Sequence, residues 1–333
     1  MSIQQSELKL YRAAQNSNTS SANGGIASYT EVVSGVNNNL LPDVSQAERV
    51  AGLTTFRKVF YKNGNSSDLS LLNSRVFIEN YTPGDDAVYI HAGNDSGLQS
   101  ALTGNEDLYG CGKLDSNVIA SATTLDILIE QSAVHWLRDT DVIRISDRST
   151  IDGSGNEEFV TVSGTPTYNG SVCTIVFTPA LANGYAATNT RVANCLVHGT
   201  MGASSDTVVD TTAGNGTYDE VAQPIACTNQ GTVYDTWTAT FSSATAYTVV
   251  GTITGSLGAG STNSDFSPLN PNTATPYFSI KSAGFAGTWA NGDTLTFTTH
   301  PAHIPLWVKR VVPAGTPAYA GDKVVIAIDG ETA

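Results

Sequence analysis

Charged residues are scarce in this chain, and basic ones especially so. They make up 14% of the 333 residues, and 16 Lys and Arg face 30 Asp and Glu, which leaves a net charge of −14. Between Val192 and Ile280 there is no Lys or Arg at all. Binding a nucleic acid requires clustered basic side chains that displace counterions from phosphates. The sequence therefore predicts no nucleic-acid partner, and its acidity suits a protein partner with basic patches.

Long apolar runs are also missing. No stretch approaches the roughly 18 apolar residues that a membrane-spanning helix needs. The first ten residues show neither a basic start nor an apolar run, which a secretory signal peptide would combine. We therefore expect no signal peptide and no membrane span.

Cysteine is sparse and its spacing is uninformative. The four cysteines are Cys111, Cys173, Cys195 and Cys227, and none of them forms a Cys-x-x-Cys pair or a Cys/His cluster. This pattern favours buried or incidental thiols. A disulfide, for instance between Cys173 and Cys195, or a metal site is left open as an alternative.

Catalytic motifs are absent. The chain has no Gly-x-Ser-x-Gly, no phosphate-binding Gly-x-x-x-x-Gly-Lys-Ser/Thr, no His-Glu-x-x-His and no dinucleotide fingerprint. We therefore predict that it is not an enzyme and takes no cofactor or metal. One hydrolase alternative remains, in which Asp139 and Asp141 act as the paired carboxylates of a glycosidase.

Two short stretches have a superficial likeness to metal sites. His300 and His303 have a spacing that suits a metal only if the chain turns, and no carboxylate is adjacent in sequence, so packing roles are favoured. The stretch from Asp152 to Glu158 suggests a calcium loop but lacks the glycine at position six and the acidic residue at position twelve. A hairpin turn explains its glycines without an ion.

What replaces charge is Thr, Ser, Asn and Gly in an alternating pattern. After Trp289, the turn Asn291-Gly-Asp293 leads into a segment in which Leu295 and Phe297 alternate with threonines, the period of a half-buried strand. The same order of aromatic, turn and strand recurs after Trp136 and after Tyr319. Because strong helix formers are few, the sequence predicts a mostly β protein.

The domain organisation follows from shifts in composition. We predict an extended N-terminal arm with a short helix, residues 1–53, in which Ser45 and Glu48 form a capping box. Several small β-sandwich or barrel modules follow. Residues 54–112 and 301–333 form a base β-domain by returning to pair with each other, residues 113–196 form a small barrel or sandwich inserted in it, and residues 197–300 form a second β-module. Within the last, Gly255–Pro276 reads as a long loop.

Both ends of the chain resemble known proteins. The start Ser6-Glu-Leu-Lys-Leu-Tyr-Arg-Ala-Ala-Gln15, the stretch Asp43–Arg49 and the stretch Thr298–Gly315 resemble proteins encoded in the structural-gene modules of tailed bacteriophages and Mu-like prophages. The resemblance implies a non-enzymatic virion component, either a capsid decoration (cement) protein or a part of the neck, tail or baseplate. It also implies synthesis in the cytoplasm of the bacterial host, a homo-oligomer, and partners among the other virion proteins.

Contact residues and an alternative function follow from this reading. We predict contacts with other virion proteins through Leu8, Leu10 and Tyr11 of the arm and through the aromatic residues Trp307 and Tyr319. The alternative is a receptor- or carbohydrate-binding tail module with Gly255–Pro276 and Trp289 near the ligand. For the tryptophans, core anchoring is favoured over a sugar platform.

Overall fold

A computed structural model describes residues 2–131 and 134–333. Strands account for 45% of the residues and helices for 5%, so the predicted mostly β class is confirmed. The first twelve strands are β1 (Leu8–Gln15), β2 (Gly24–Glu31), β3 (Leu53–Asn63), β4 (Leu71–Asn80), β5 (Ala87–Ala92), β6 (Cys111–Leu114), β7 (Thr124–Leu128), β8 (Val142–Ser146), β9 (Glu157–Val162), β10 (Thr167–Asn169), β11 (Val172–Thr178) and β12 (Arg191–Met201). The remaining strands are β13 (Ser204–Ser205), β14 (Val209–Thr211), β15 (Thr217–Tyr218), β16 (Asp235–Phe241), β17 (Ala246–Gly251), β18 (Gly255–Ser261), β19 (Phe285–Ala286), β20 (Thr294–His300), β21 (His303–Val312) and β22 (Val325–Thr332).

The first sheet joins the two ends of the chain. Its five strands lie in the order β2-β1-β3-β21-β5. Strand β21 pairs with β3 over its full length, from His303 opposite Lys62 to Val312 opposite Leu53. Strand β22 pairs with β4 in the neighbouring sheet. The pairing expected between the last apolar stretch and residues 54–92 is thus present, while the division into domains stays a prediction.

The extended arm expected for residues 1–42 is wrong for most of its length. Leu8–Gln15 forms β1, which pairs with β3 on one side and with β2, Gly24–Glu31, on the other. The apolar start is too small to fold alone, but the edge of β3 supplies the backbone partners that it lacks. These residues are therefore part of a sheet and do not extend away from it.

In the part of the chain that the structure describes, helical structure is limited to short pieces. The α-helix α1 spans Gln46–Ala51; the Oγ of Ser45 accepts the amide of Glu48, and the Glu48 carboxylate accepts the amide of Ser45. Gly52 ends the helix with a φ of +80°, which favours glycine. Short 3-10 turns lie at Gln5–Glu7, Ser20–Ala22, Gln99–Ala101 and Ser282–Gly284. Within residues 2–131 and 134–333, no helix has the length and hydropathy to cross a membrane.

A closed antiparallel barrel forms the middle of the molecule. The strand pairings run β12-β6-β7-β11-β9-β8 and return from β8 to β12. Strand β12 makes this closure because its first half, Arg191–Cys195, pairs with β8, whereas Leu196–Met201 pairs with β4 outside the barrel. Leu125, Ile127, Ile143 and Ile175 fill the interior, where alternate residues of each strand point inward.

The last sheet is built on β16, β17 and β20. Strands β13-β20-β16-β17-β18 lie side by side, and β14 also pairs with β20. The long loop expected at Gly255–Pro276 is wrong in its first part, because Gly255–Ser261 is strand β18, paired with β17. Its glycines and serines lack the apolar alternation of the other strands, and the ladder with β17 provides what the side chains do not.

The described residues form three apolar cores, which correspond to these units. They lie inside the barrel, between the five-stranded sheet and strands β4, β12 and β22, and behind the six-stranded sheet. The core interpretation of the tryptophans is confirmed, since all four are buried: Trp136, Trp237, Trp289 and Trp307.

Candidate functional site

The five predicted contact residues occupy three different environments. Leu8, Leu10 and Tyr11 lie on β1 and are half-buried, and the two leucines pack against the core beneath the first sheet. Burial raises the pKa of the Tyr11 hydroxyl. Trp307 is 2% exposed and its ring stacks on His91 with 6.3 Å between the ring centroids. Tyr319 is 55% exposed, so of the five it has the side chain most accessible to a partner.

Additional exposed apolar side chains lie on two connecting segments, which we call segment 32–52 and segment 313–324. Segment 32–52 leads from β2 to β3, and Val33, Val36 and Val50 are at least half exposed on it. Segment 313–324 leads from β21 to β22 and carries Tyr319. The sequence signal for Val33 and Val36 is an apolar residue beside Gly35 and Asn37–Asn39, and the sequence reasoning did not use it; Val50 lies in the helix Gln46–Ala51.

Hydrogen bonds tie these two segments to each other and to β21. The amide of Gly315 donates to the carbonyl of Arg49 at 2.8 Å. The guanidinium of Arg310, on β21, donates to the carbonyl of Pro42 at 2.9 Å. Both segments therefore meet at the end of β21, beside the exposed Val50. Val33 and Val36 lie nearer the other end of the sheet, where the amide of Val32 donates to the carbonyl of Leu10.

The carboxylates of the hydrolase alternative are used by the fold. Asp141 accepts hydrogen bonds from the amide of Arg138 at 2.7 Å and from Nδ2 of Asn194 at 2.6 Å. Asp139 accepts from the amide of Gly164 at 2.7 Å. Both side chains thus hold the turns around the start of β8.

His300, at the end of β20, and His303, at the start of β21, do have carboxylate partners, contrary to what their sequence surroundings indicated. Nε2 of His300 lies 3.0 Å from Asp206, and Nε2 of His303 lies 2.6 Å from Asp95. Burial lowers the pKa of His303, and the hydrogen bond to Asp95 acts in the opposite direction without reversing the shift. Among the described residues, no group of three or more His, Cys, Asp or Glu side chains is placed to hold a metal ion.

The acidic residues near the suspected calcium loop also serve internal contacts. Glu157 forms ion pairs with Arg144 and Arg148. Glu158 accepts the amide of Ala182 at 2.7 Å and the hydroxyl of Tyr185 at 3.0 Å. The carboxylates at this hairpin therefore attach neighbouring segments to β9.

Trp289, which the alternative function places near a sugar ligand, does not expose its ring. Trp289 is buried and stacks on Phe241 with centroids 4.1 Å apart and ring planes within 9°.

The four cysteines are free thiols, with Cys111, Cys173 and Cys195 buried and Cys227 half-buried. Burial raises the pKa of each of these thiols.

Comparison with known proteins adds no relative. No protein-family model matches the chain, and no match was found among curated proteins or solved structures.

Proposed function

We propose that this chain is a non-enzymatic structural protein of a tailed-bacteriophage virion, which assembles on other virion proteins as a homo-oligomer. A capsid decoration, neck, tail or baseplate position is consistent with this role. The proposal places the chain in the virion after synthesis in the host cytoplasm, and it treats the sheets as serial modules.

One observation supports the proposal above the others. The stretches that carry the phage resemblance are far apart in sequence but adjacent in the fold. Ser6–Gln15 contains β1 and Thr298–Gly315 contains β21, and these two strands flank β3 in the five-stranded sheet. The third stretch, Asp43–Arg49, enters α1, whose Arg49 carbonyl accepts the amide of Gly315. Apart from Thr298–His300, which end β20 of the six-stranded sheet, the resembling stretches thus lie together in one structural unit.

The same unit has exposed apolar groups at one end. Val50 and Tyr319 are 67% and 55% exposed there, on segments that are bonded to each other. A contact made through a few apolar side chains is weak, but many such contacts in a symmetric particle together give a high overall affinity. Asp139 and Asp141 are occupied in turns, which favours a structural role over hydrolysis.

The test is recovery of the chain from particles. The strain whose genome encodes the chain is induced, the particles are purified, and an antibody against the chain is used for immunoblotting and for gold labelling under the electron microscope. We expect the chain in purified particles and label at one position, on the head, the neck or the tail. Particles of normal yield that lack the chain would refute the proposal.

Variants then test the contact surface. In a strain that lacks the gene, copies with Tyr319→Ser or Val50→Ser are expected to enter particles at least tenfold less than the unaltered chain. Val221→Ser is the matched control, because Val221 is 92% exposed and lies between β15 and β16, outside the five-stranded sheet. Equal incorporation of all three variants would place the contact surface elsewhere.

A further inference from the structure

One face of the five-stranded sheet contains a cavity of about 320 Å³. Phe56 on β3, His91 on β5 and Lys309 on β21 line it from the sheet, and residues between 99 and 108 line it from the opposite side. Lys309 lies opposite Phe56 in the strand register, and Trp307, two residues earlier, lies opposite His91. Because side chains alternate between faces, these groups share one face. The volume is at the lower end of the roughly 300–1,000 Å³ of small-molecule sites.

His91 brings an unpaired acceptor to this cavity. The side chain is fully buried, and its Nδ1 lies 3.1 Å from the carbonyl oxygen of Ala92. A carbonyl only accepts hydrogen bonds, so Nδ1 carries the proton, and burial lowers the pKa of His91, which favours the neutral ring. Nε2 is then an acceptor, and no donor reaches it from the described residues. Buried polar atoms of this kind are normally satisfied.

Lys309 brings a cation without an anionic partner. Its ammonium lies 5.8 Å from the centroid of the Phe56 ring. Among the described residues no carboxylate lies within ion-pair distance of it. The carboxylate of Glu106, which also lines the cavity, is occupied by the amides of Thr103 at 2.5 Å and Gly104 at 3.0 Å. These hydrogen bonds lower the pKa of Glu106 and keep its carboxylate charged, so a ligand anion at Lys309 has to lie on the side away from Glu106.

The side of the cavity opposite the sheet is held in place before any ligand arrives. Gln99 and Asn23 bond to each other twice, through the Gln99 amide and the Asn23 carbonyl and through their side chains, each at 2.8 Å. Four residues before Gln99, Asp95 is held by its contact with His303. Leu102 and Leu108 project into the cavity from this segment and make it partly apolar. A preformed site loses less entropy on binding.

We propose that the cavity binds a C-terminal carboxylate, that of a peptide or of a small acylated amino acid. The carboxylate lies at Lys309, the terminal side chain packs against Phe56, Leu102 and Leu108, and the adjacent amide N–H donates to His91. A chain terminus carries an anion, an N–H donor and an apolar side chain within one residue. These three groups complement the cation, the acceptor and the apolar side chains that line the cavity. The net charge of −14 repels simple anions, so the apolar contact is needed as well as Lys309.

The experiment compares an acid with its amide on the full chain. N-acetyl-leucine, N-acetyl-leucinamide and the peptide acetyl-Ala-Ala-Leu with a free carboxylate are titrated while amide resonances are followed by NMR. We expect the acids to bind at least tenfold more tightly than the amide and to shift the resonances of residues 99–108. The ring nitrogen resonance of His91 should also shift, and this readout needs no variant.

Variants assign the charge. Lys309→Met keeps the apolar stem and is expected to weaken acid binding at least tenfold while leaving amide binding unchanged. Lys323→Met, in segment 313–324, is the matched control and should bind like the unaltered chain. Binding of the tripeptide alone supports a partner chain's terminus as the ligand, and binding of both acids supports small acylated amino acids as well. Equal binding of acid and amide, unchanged binding in Lys309→Met, or no shift at residues 99–108 would overturn the proposal.

Discussion

A pair of carboxyl groups joins the turn after β4 to segment 313–324, and it makes a specific pH dependence predictable. Oδ1 of Asp322 accepts the amide of Gly84 at 3.2 Å. Asp86 is 9% exposed, and its pKa is raised from 3.8 to about 6, first by burial and then by Asp322. Hydrogen bonding to Thr82 and the charge of Arg310 act in the opposite direction. A protonated Asp86 can donate to the Asp322 carboxylate, whereas two ionised groups repel each other.

The sign and size of the effect follow from linkage. Because the folded-state pKa is raised, the stabilisation is fully present below the unfolded value of 3.8 and is lost as the pH rises through about 6. A shift of this size corresponds to about 3 kcal/mol. Partial contact with solvent reduces it to about 1–2 kcal/mol.

The perturbation that isolates this pair is Asp86→Asn, which keeps a donor and removes the charge. Burial lowers the pKa of His91 and His303, so these rings lose stabilisation as the pH falls below their unfolded values and produce a slope of the opposite sign. The difference between variant and unaltered chain cancels that background. Asp85→Asn is the control, since Asp85 lies in the same turn and is exposed.

The assay is urea unfolding at pH 4.5 and 7.5, with hydrogen exchange of the Gly84 amide as a local measurement. The advantage of Asp86→Asn over the unaltered chain should be larger at pH 7.5 than at pH 4.5 by about 1 kcal/mol. Asp85→Asn should show no such change. A difference that does not vary with pH, or an equal effect of Asp85→Asn, would refute the reasoning.

Three further predictions concern packing, capping and thiol reactivity. Gly251→Ala places a Cβ 2.5 Å from an atom of the Trp237 ring and should destabilise the chain by about 1–3 kcal/mol in urea unfolding. Gly64→Ala is the control and should change the stability little, because the nearest neighbour of its Cβ is 3.4 Å away. Ser45→Ala removes the acceptor for the Glu48 amide and should cost about 1 kcal/mol, which Ser45→Asp should restore; no loss in Ser45→Ala would show that the cap is not needed. Because burial raises the pKa of every thiol, the folded chain should resist alkylation by iodoacetamide at pH 7.5. Rapid labelling seen by mass spectrometry would contradict this prediction. The pKa values are about 12 for Cys111 and Cys195 and about 11 for Cys173 and Cys227.

Strands with a clear alternation were predictable from the sequence, and so were the anchors beside them. Leu295 and Phe297 share the buried face of β20, as the period of two requires. Trp289 precedes that strand and is buried, because a large ring next to a turn packs under the sheet that the turn starts. These features depend on residues close in sequence, so local pattern was sufficient.

The candidate sites could not be predicted in the same way. Trp307 is a predicted contact residue, but its pairing with Lys58 on β3 and His91 on β5 places it in the interior of a sheet. His303 gained its carboxylate from Asp95, more than 200 residues earlier. Each of these contacts depends on which strands are neighbours, and no local pattern contains that information.

The mostly β class, the turn before β20, the cap at Ser45 and the scarcity of basic residues were determined by the sequence alone. These properties come from backbone preferences and alternation over a few residues. The tertiary structure decided that Leu8–Gln15 joins a sheet, that β12 closes a barrel, and that His91 and Lys309 share a cavity. The physical reason is that a β-strand leaves its backbone hydrogen bonds to be completed by another strand, and that strand can come from anywhere in the chain.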